Sequence, residues 1–332
     1  MKRTFFLNII LLNAFAYING AVVTYDFSGG RFGDNLLAYL HAKWISHEYN
    51  IPLLYKPFKY SDCLQMDCSE TKTPVLTNMK SKILTKRDMT IDPEQNVLYV
   101  IPYFSEVLYE RRMTLNSDWI FFKVDWNDPE FLAEIRKMIK PRDPALMYNK
   151  PCNDKICVAM HVRKGGNFDK GDLLSDVADN LSNNNYSGYK DYGNALKFPP
   201  EHFYITQIKR VSELLNNVPL YVFIFTDDLD PAAIVNRFKM SLHEYSNIHF
   251  DYRTEGNSDS TNVLEDFFGM IQFDCLIRAQ SNYSLIAGKL GNFAIEIAPV
   301  TQHWEGAISV IDTVEENIKK DHRVWNKIFH EK

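Results

Sequence analysis

Residues Ile156–Val162 read ICVAMHV, and residues Leu220–Thr226 read LYVFIFT. Continuous apolar runs of this kind belong to strands covered on both faces, as in the parallel sheets of α/β proteins. The first run ends in His161 and Arg163 and passes at once into Lys164, Gly165 and Gly166; the second ends in Asp227 and Asp228. Open α/β sheets bind ligands in the crevice at the carboxyl ends of their strands. Arg163 offers a planar fork of donors there and Lys164 a point charge, a pair that suits an anionic ligand. Two glycines let the backbone approach a phosphate closely. The alternative is an ordinary basic turn after a strand.

The rest of the chain repeats the pattern. Residues 21–27 (AVVTYDF) read as a buried strand, and they run into a glycine-rich turn at Gly29, Gly30 and Gly33. Leu36, Leu37, Leu40, Trp44 and Ile45 then recur at helical spacing. Strand, glycine turn and helix place helix N-terminal amides against a negative group. Asp34 is positioned to cap that helix, and Arg31 adds positive charge. Residues 52–55, 96–104 and 120–124 are strand-like. Asp128-Pro129 is a helix start, cap followed by proline at the first turn, and that helix should reach about Lys140. Pro141, Pro144 and Pro151 mark a linker up to Cys152.

In the second half, Pro199-Pro200-Glu201 opens a helix, and Asp230-Pro231 caps another. Asp227 and Asp228 stand at a strand end, as ligand-binding acids or as turn caps. Residues 262–274 read as a helix and 276–279 as a short strand. Ser281, Asn282 and Ser284 then begin a helix, presenting amides and hydroxyls to a phosphate or simply capping. Residues 293–297 read as the last strand, and Thr313-Val314-Glu315-Glu316 as the capping box of a terminal helix. Residues 175–197 are aperiodic, with Tyr186, Tyr189 and Tyr192 among several asparagines. That composition suits a sugar, through stacking and amide hydrogen bonds, and equally an unstructured loop. Alternating strands and helices in two halves predict an α/β chain of two doubly wound Rossmann-like domains facing across a cleft, at 22–150 and 151–332.

The chain is long enough for two such domains, with 332 residues of which 45% are hydrophobic. A net charge of −5 gives no bulk attraction to nucleic acid. Lys2 and Arg3 before an apolar run, with Gly20 and Ala21 after it, form the pattern of a signal peptide over residues 1–21. An uncleaved signal anchor is the next reading and a buried first strand and helix the third. The expected location is therefore the export or secretory route, with membrane contact only if the segment stays uncleaved. Cys63 with Cys68, and Cys152 with Cys157, are close enough for two short-loop disulfides in an oxidising compartment. Free buried thiols are the alternative, and no second close pair of ligands supports zinc.

Together these stretches resemble the superfamily of α1,2-, α1,6- and protein-O-fucosyltransferases, the α1,2 family most. Residues 30–35 (GRFGDN) are similar to its N-terminal motif, and His161-Val162-Arg163-Lys164-Gly165 resembles its His-Val-Arg-Arg-Gly motif. Phe198-Pro199-Pro200-Glu201, Phe225-Thr226-Asp227-Asp228, Glu265-Asp266-Phe267 with Met270, and Ser281-Asn282-Tyr283-Ser284 follow in the family's order. The resemblance implies a GT-B fold, with an acceptor-side N-terminal domain and a nucleotide-sugar-binding C-terminal one. It also implies inverting, metal-independent transfer of fucose from GDP-fucose to a glycan or glycoprotein, with no cofactor. Arg163 would hold the β-phosphate and His161 would shape the nucleotide site. Gly30, Arg31, Gly33, Asn35, Lys164, Asp227 or Asp228, Ser281, Asn282 and Ser284 would line the donor. Tyr186, Tyr189 and Tyr192 would face the acceptor, and Asp34, Asp169 and Asp172 are candidate general bases. Three positions depart from the family pattern: Gly166 and Asn167 stand where acids are usual, and Asp34 where Asn is. These departures leave a second reading, a non-catalytic GT-B-like protein that binds glycans or nucleotides.

Overall fold

The structure is a computed structural model that describes residues 20–27, 29–70, 79–85, 88–103, 124–147, 155–164, 195–255, 257–258, 260–305 and 308–330. The signal-type segment save Gly20 and Ala21, the strand expected at 120–124 save Val124, and the residues 165–194 lie outside that set. No described helix is long and apolar enough to cross a membrane.

The N-terminal half is a parallel three-stranded sheet with the order β1 (Val22–Tyr25), β3 (Val97–Ile101), β2 (Lys80–Ile83). The strand expected at 52–55 reduces to isolated bridge residues, among them Leu53, which pairs in parallel with Val23. Pro52 supplies no donor to a ladder, though its carbonyl accepts from Val23 N at 3.0 Å. Helix α1 (Phe32–Tyr49) follows β1 and is buried around most of its circumference from Phe32 to Ile45. A helix apolar all round must be enclosed, and α1 is enclosed by its own sheet and by the C-terminal half. Asn50, in the left-handed region with φ 51°, closes it. A short helix α2 (Met66–Ser69) comes next. Helix α3 (Pro129–Met138) starts as the sequence predicts, with the Asp128 carboxylate accepting from Glu130 N and Phe131 N at 2.9 and 2.8 Å.

The C-terminal half holds six strands in the order β6-β5-β4-β7-β8-β9, parallel except for the last pair. They are β4 (Ile156–Val162), β5 (Leu220–Thr226), β6 (Ile248–Tyr252), β7 (Cys275–Arg278), β8 (Ile295–Glu305) and β9 (Ile308–Ile318). The unbroken apolar runs now have a cause. In β4, Ile156, Val158, Met160 and Val162 enter one core while Cys157 and Ala159 enter the other. In β5, Leu220, Val222 and Ile224 face the first core, Phe223 and Phe225 the second. The first core is closed by α4 (Glu201–Leu214), α5 (Pro231–Ser241) and α8 (Arg323–His330). The second is closed by α6 (Val263–Ile271) and α7 (Asn282–Leu290), and it continues without a break into the N-terminal half. Each large apolar side chain buried there contributes roughly 1.5–3 kcal/mol.

Two expectations are corrected. Thr313-Val314-Glu315-Glu316 is not a capping box, because it lies inside β9, and the terminal helix begins only at Arg323. Nor is 293–297 the last strand, since β8 runs on to Glu305 and pairs with β9. A capping box is local, whereas the β-branched Ile311, Thr313 and Val314 find a partner in β8 that no local pattern reveals. Thr301 and Thr313 exchange a hydroxyl hydrogen bond of 2.7 Å across that pair. Cys63 and Cys68 are free thiols. Nearness in sequence does not supply the Cβ geometry a disulfide needs, and Cys63 ends a turn before Cys68 enters α2. Cys157 is disulfide-bonded, with its partner outside the described residues.

The halves meet where α1 and α7 begin. Phe32 packs its ring edge on Phe267 at 5.3 Å and on Tyr283 at 6.3 Å. A Cβ on Gly33 would stand 2.5 Å from Tyr283 N and 2.7 Å from its Cα. Backbone cannot yield as a side-chain tip can, so Gly33→Ala is expected to destabilise the protein by roughly 1–3 kcal/mol. Thermal denaturation reads this, and an unchanged melting temperature would show that the two helices part freely.

Candidate active site at the carboxyl edge of the sheets

Strand β4 is where the strand order reverses. From it the chain builds β5 and β6 on one side, then crosses to build β7 and β8 on the other. Ligand crevices of doubly wound sheets open at that point. In register with His161 stand Phe225 of β5 and Arg278 of β7, and Val162 is level with Thr226. The next residues of each strand therefore emerge side by side: Arg163 and Lys164 after β4, Asp227 after β5, and Ser281 with Asn282 after β7.

His161 is only 8% exposed. Its carbonyl accepts from Tyr204 OH at 3.0 Å, and its ring lies 5.8 Å from that of Tyr283. Its Nδ1 is buried and has no hydrogen-bond partner among the described residues. Burial pushes the imidazole down to about 3, helped by the positive charges of Arg163, Arg278 and Arg31. A neutral ring thus sits among three guanidiniums. Of these, Arg278 is neutralised in place by Glu296, bonded at 2.7 Å. Arg31 lies 4.0 Å from the Asp227 carboxylate. Arg163 places its guanidinium 5.4 Å from the centroid of the Phe198 ring, a cation–π contact that limits its orientation.

The two acids after β5 divide. Asp227 Oδ1 accepts from Lys164 N at 2.7 Å and so ties the β4 and β5 exits together. Asp228 caps its own turn, accepting from Asp230 N at 2.8 Å. Lys164 Nζ lies 3.5 Å from Glu201, which Arg237 also grips in a fork. Burial raises the Glu201 carboxyl, but Arg237 and Lys164 more than offset it, leaving it below its ordinary value.

Asp34 is a hub between the halves. Its Oδ1 accepts from Tyr103 OH at 2.8 Å and from Asn282 Nδ2 at 2.7 Å, and Asn282 also bonds Tyr103 at 2.9 Å. Its Oδ2 accepts from Arg31 N at 3.2 Å, so Asp34 caps α1 from inside its first turn. Gly30 is required there, because a Cβ would stand 2.7 Å from Asp34 Cγ. The carboxylate therefore supplies the negative group that the N-terminus of α1 attracts. Asn35 Nδ2 reaches Gly30 O at 3.3 Å. At α7, Ser281 is the cap position, while Ser284 is fully buried with its hydroxyl turned to Ala279 O at 3.3 Å.

The structure thus brings Arg31, Asp34, His161, Arg163, Lys164, Asp227 and Asn282 to one edge. Gly33 serves the contact between the halves, and Asp228 and Ser284 serve local turns and caps. Asp169, Asp172, Tyr186, Tyr189 and Tyr192 lie outside the described residues. Sequence reasoning gave no site role to Tyr103, Phe198, Arg278 or the pair Arg253–Asp266. That pair is bonded at 2.6 Å on the α6 side of the same edge. Burial pushes the Asp266 carboxyl up to about 6 although Arg253 pulls the other way. The one available signal was an arginine directly after an apolar run, as at Arg278 after Cys275-Leu276-Ile277. Among the described residues no group of three or more His, Cys, Asp and Glu is placed to hold a metal ion.

No family model matches the chain, and no curated protein matches it. Solved structures do. A mutant of Arabidopsis thaliana FUT1 in complex with GDP aligns with 87% of this chain and 72% of its own, at 13% identity and a TM-score of 0.52. The fold is GT-B. POFUT1 in complex with GDP-fucose aligns over 83% of this chain and 96% of its own, at 14% identity and a TM-score of 0.43. Its apo form aligns over 82% and 94%, at 14% and 0.40. In this GT-B chain the exits of β1, β4, β5 and β7 converge on His161.

Proposed function

We propose that the chain is an inverting glycosyltransferase that moves fucose from GDP-fucose to a glycan or glycoprotein hydroxyl without a metal ion. The observation that carries this reading is the convergence of Arg31 and Arg163 on a buried, neutral His161 at the switch point of a GT-B fold. The FUT1 structure of that fold holds GDP. Transfer breaks the bond from the anomeric carbon to the β-phosphate oxygen, and the electron pair leaves with GDP. The acceptor hydroxyl attacks the opposite face and gives its proton to a carboxylate. Charge therefore grows on the diphosphate, and preorganised donors aimed at it lower the barrier. Arg163, steadied over Phe198, supplies the paired donors, and Arg31 adds charge from the other half. Neutral His161 offers a hydrogen bond. Asp34, Asp169 and Asp172 remain the candidates for the proton acceptor. We place the protein on the export or secretory route, in a compartment that holds nucleotide sugars.

Both oxygens of Asp34 are already engaged, which favours a second reading, nucleotide or glycan binding without turnover. One experiment addresses both. Calorimetric titration with GDP and with UDP, each with and without EDTA, is expected to show GDP bound more tightly and unaffected by the chelator. Tighter UDP binding, or binding lost in EDTA, would sink the donor assignment. GDP binding with no transfer to any acceptor would select the second reading.

A further inference from the structure

Strand β8 does not stop with the sheet. Its residues Ile295–Ile297 pair with Cys275–Ile277 of β7, which ends one residue later. The remaining stretch to Glu305 pairs only with β9. The two strands form an arm that leaves the sheet past the carboxyl edge, on the side where Arg163 emerges. At about 3.3 Å per residue, Trp304 stands roughly 20 Å beyond the level of Arg278.

The arm has a defined inner face. Gln302 and Trp304 are two residues apart and share a face, and their partners Ile311 and Ser309 share it with them. Gln302 Oε1 accepts from Leu196 N at 3.0 Å, and Ser309 Oγ accepts from Ala195 N at 3.2 Å. Residues 195 and 196 lead directly to Phe198, under Arg163. Gln280, next to the α7 cap, bonds the arm at Pro299 O. On this face Trp304 is the outermost ring, and it is 43% exposed. The opposite face carries His303 hydrogen-bonded to both Asp312 and Glu305.

We infer that the β8–β9 arm is an acceptor subsite of this enzyme, in which Trp304 stacks on an outer sugar of an oligosaccharide. The inference rests on the transferase reading. The exposed indole of Trp304, on an arm braced by Gln302 and Ser309 against residues 195 and 196, offers a fixed flat surface to the apolar face of a sugar. Its place roughly 20 Å along the arm from the level of Arg278 puts Trp304 beyond the unit that receives the new bond. Trp304 is thus a specificity residue and takes no part in the chemistry.

The test measures transfer of labelled fucose to free oligosaccharides of rising length, from one to five units, by wild type, Trp304→Ala and Trp304→Phe. Wild type is expected to gain kcat/KM with length. Trp304→Ala should lose about tenfold or more on the long acceptors, as for aromatic anchors that a ligand buries on binding, and nothing on the monosaccharide. Trp304→Phe should recover most of the loss, and GDP titration should be the same in all three. Equal losses on short and long acceptors, unchanged length dependence, or weakened GDP binding in Trp304→Ala would each overturn the subsite. If the wild type binds GDP but transfers to nothing, the transferase reading fails instead. The arm is then judged by retention of the labelled oligosaccharides themselves: held by wild type and lost in Trp304→Ala supports it, equal retention overturns it.

Discussion

Arg163→Lys is expected to lower fucose transfer by about two to three orders of magnitude, while the melting temperature stays near that of the wild type. The charge is kept, so the electrostatic surroundings of His161 change little. What is lost is the planar fork, which pairs two donors with two phosphate oxygens where an ammonium places only a point charge. The contact with Phe198 also depends on the planar cation, set 5.4 Å from the ring. Donor affinity should fall less than turnover, because the fork is used most fully as charge builds on the leaving diphosphate. Near-wild-type transfer by the variant would remove Arg163 from the phosphate site. A large drop in melting temperature would recast it as a structural residue.

Acid should unfold this protein partly through His161. Its folded value is held at about 3 against an ordinary 6.5. Between those values the unfolded chain binds a proton that the folded chain refuses, so stability rises with pH there. The contribution is complete above about 6.5 and is lost as pH falls toward about 3. At roughly 1.4 kcal/mol per unit it is on the order of 5 kcal/mol in full, and roughly 3 kcal/mol of it is gone by about pH 4. Denaturant unfolding of wild type and His161→Gln across this range measures it. The variant, which cannot titrate, is expected to show the shallower acid slope. Parallel curves for the two proteins would mean that His161 is not held neutral by the fold.

Much of this architecture is written locally. The runs at 156–162 and 220–226 demand burial on both faces, and two cores receive their alternate residues. Asp128-Pro129 starts a helix because the cap and the proline act within one turn. Strand exits in Arg163, Lys164 and Asp227 followed from where the apolar runs stop.

Other features were decided only by the fold, because each depends on a partner distant in the chain. Asp34 meets Tyr103 across 69 residues and Asn282 across 248, so a glycine turn that reads as a phosphate cradle carries its own carboxylate. Gly33 is glycine for the sake of Tyr283, a backbone from the other half. Thr313 to Glu316 spell a helix start and form a strand, since β8 supplies a ladder and a cap supplies one or two bonds. Local pattern thus determined most of the strands and helices, β9 excepted, and where basic strand ends fall. The pairing of remote side chains, which conformational entropy opposes until the whole core closes, decided which of those residues face one another.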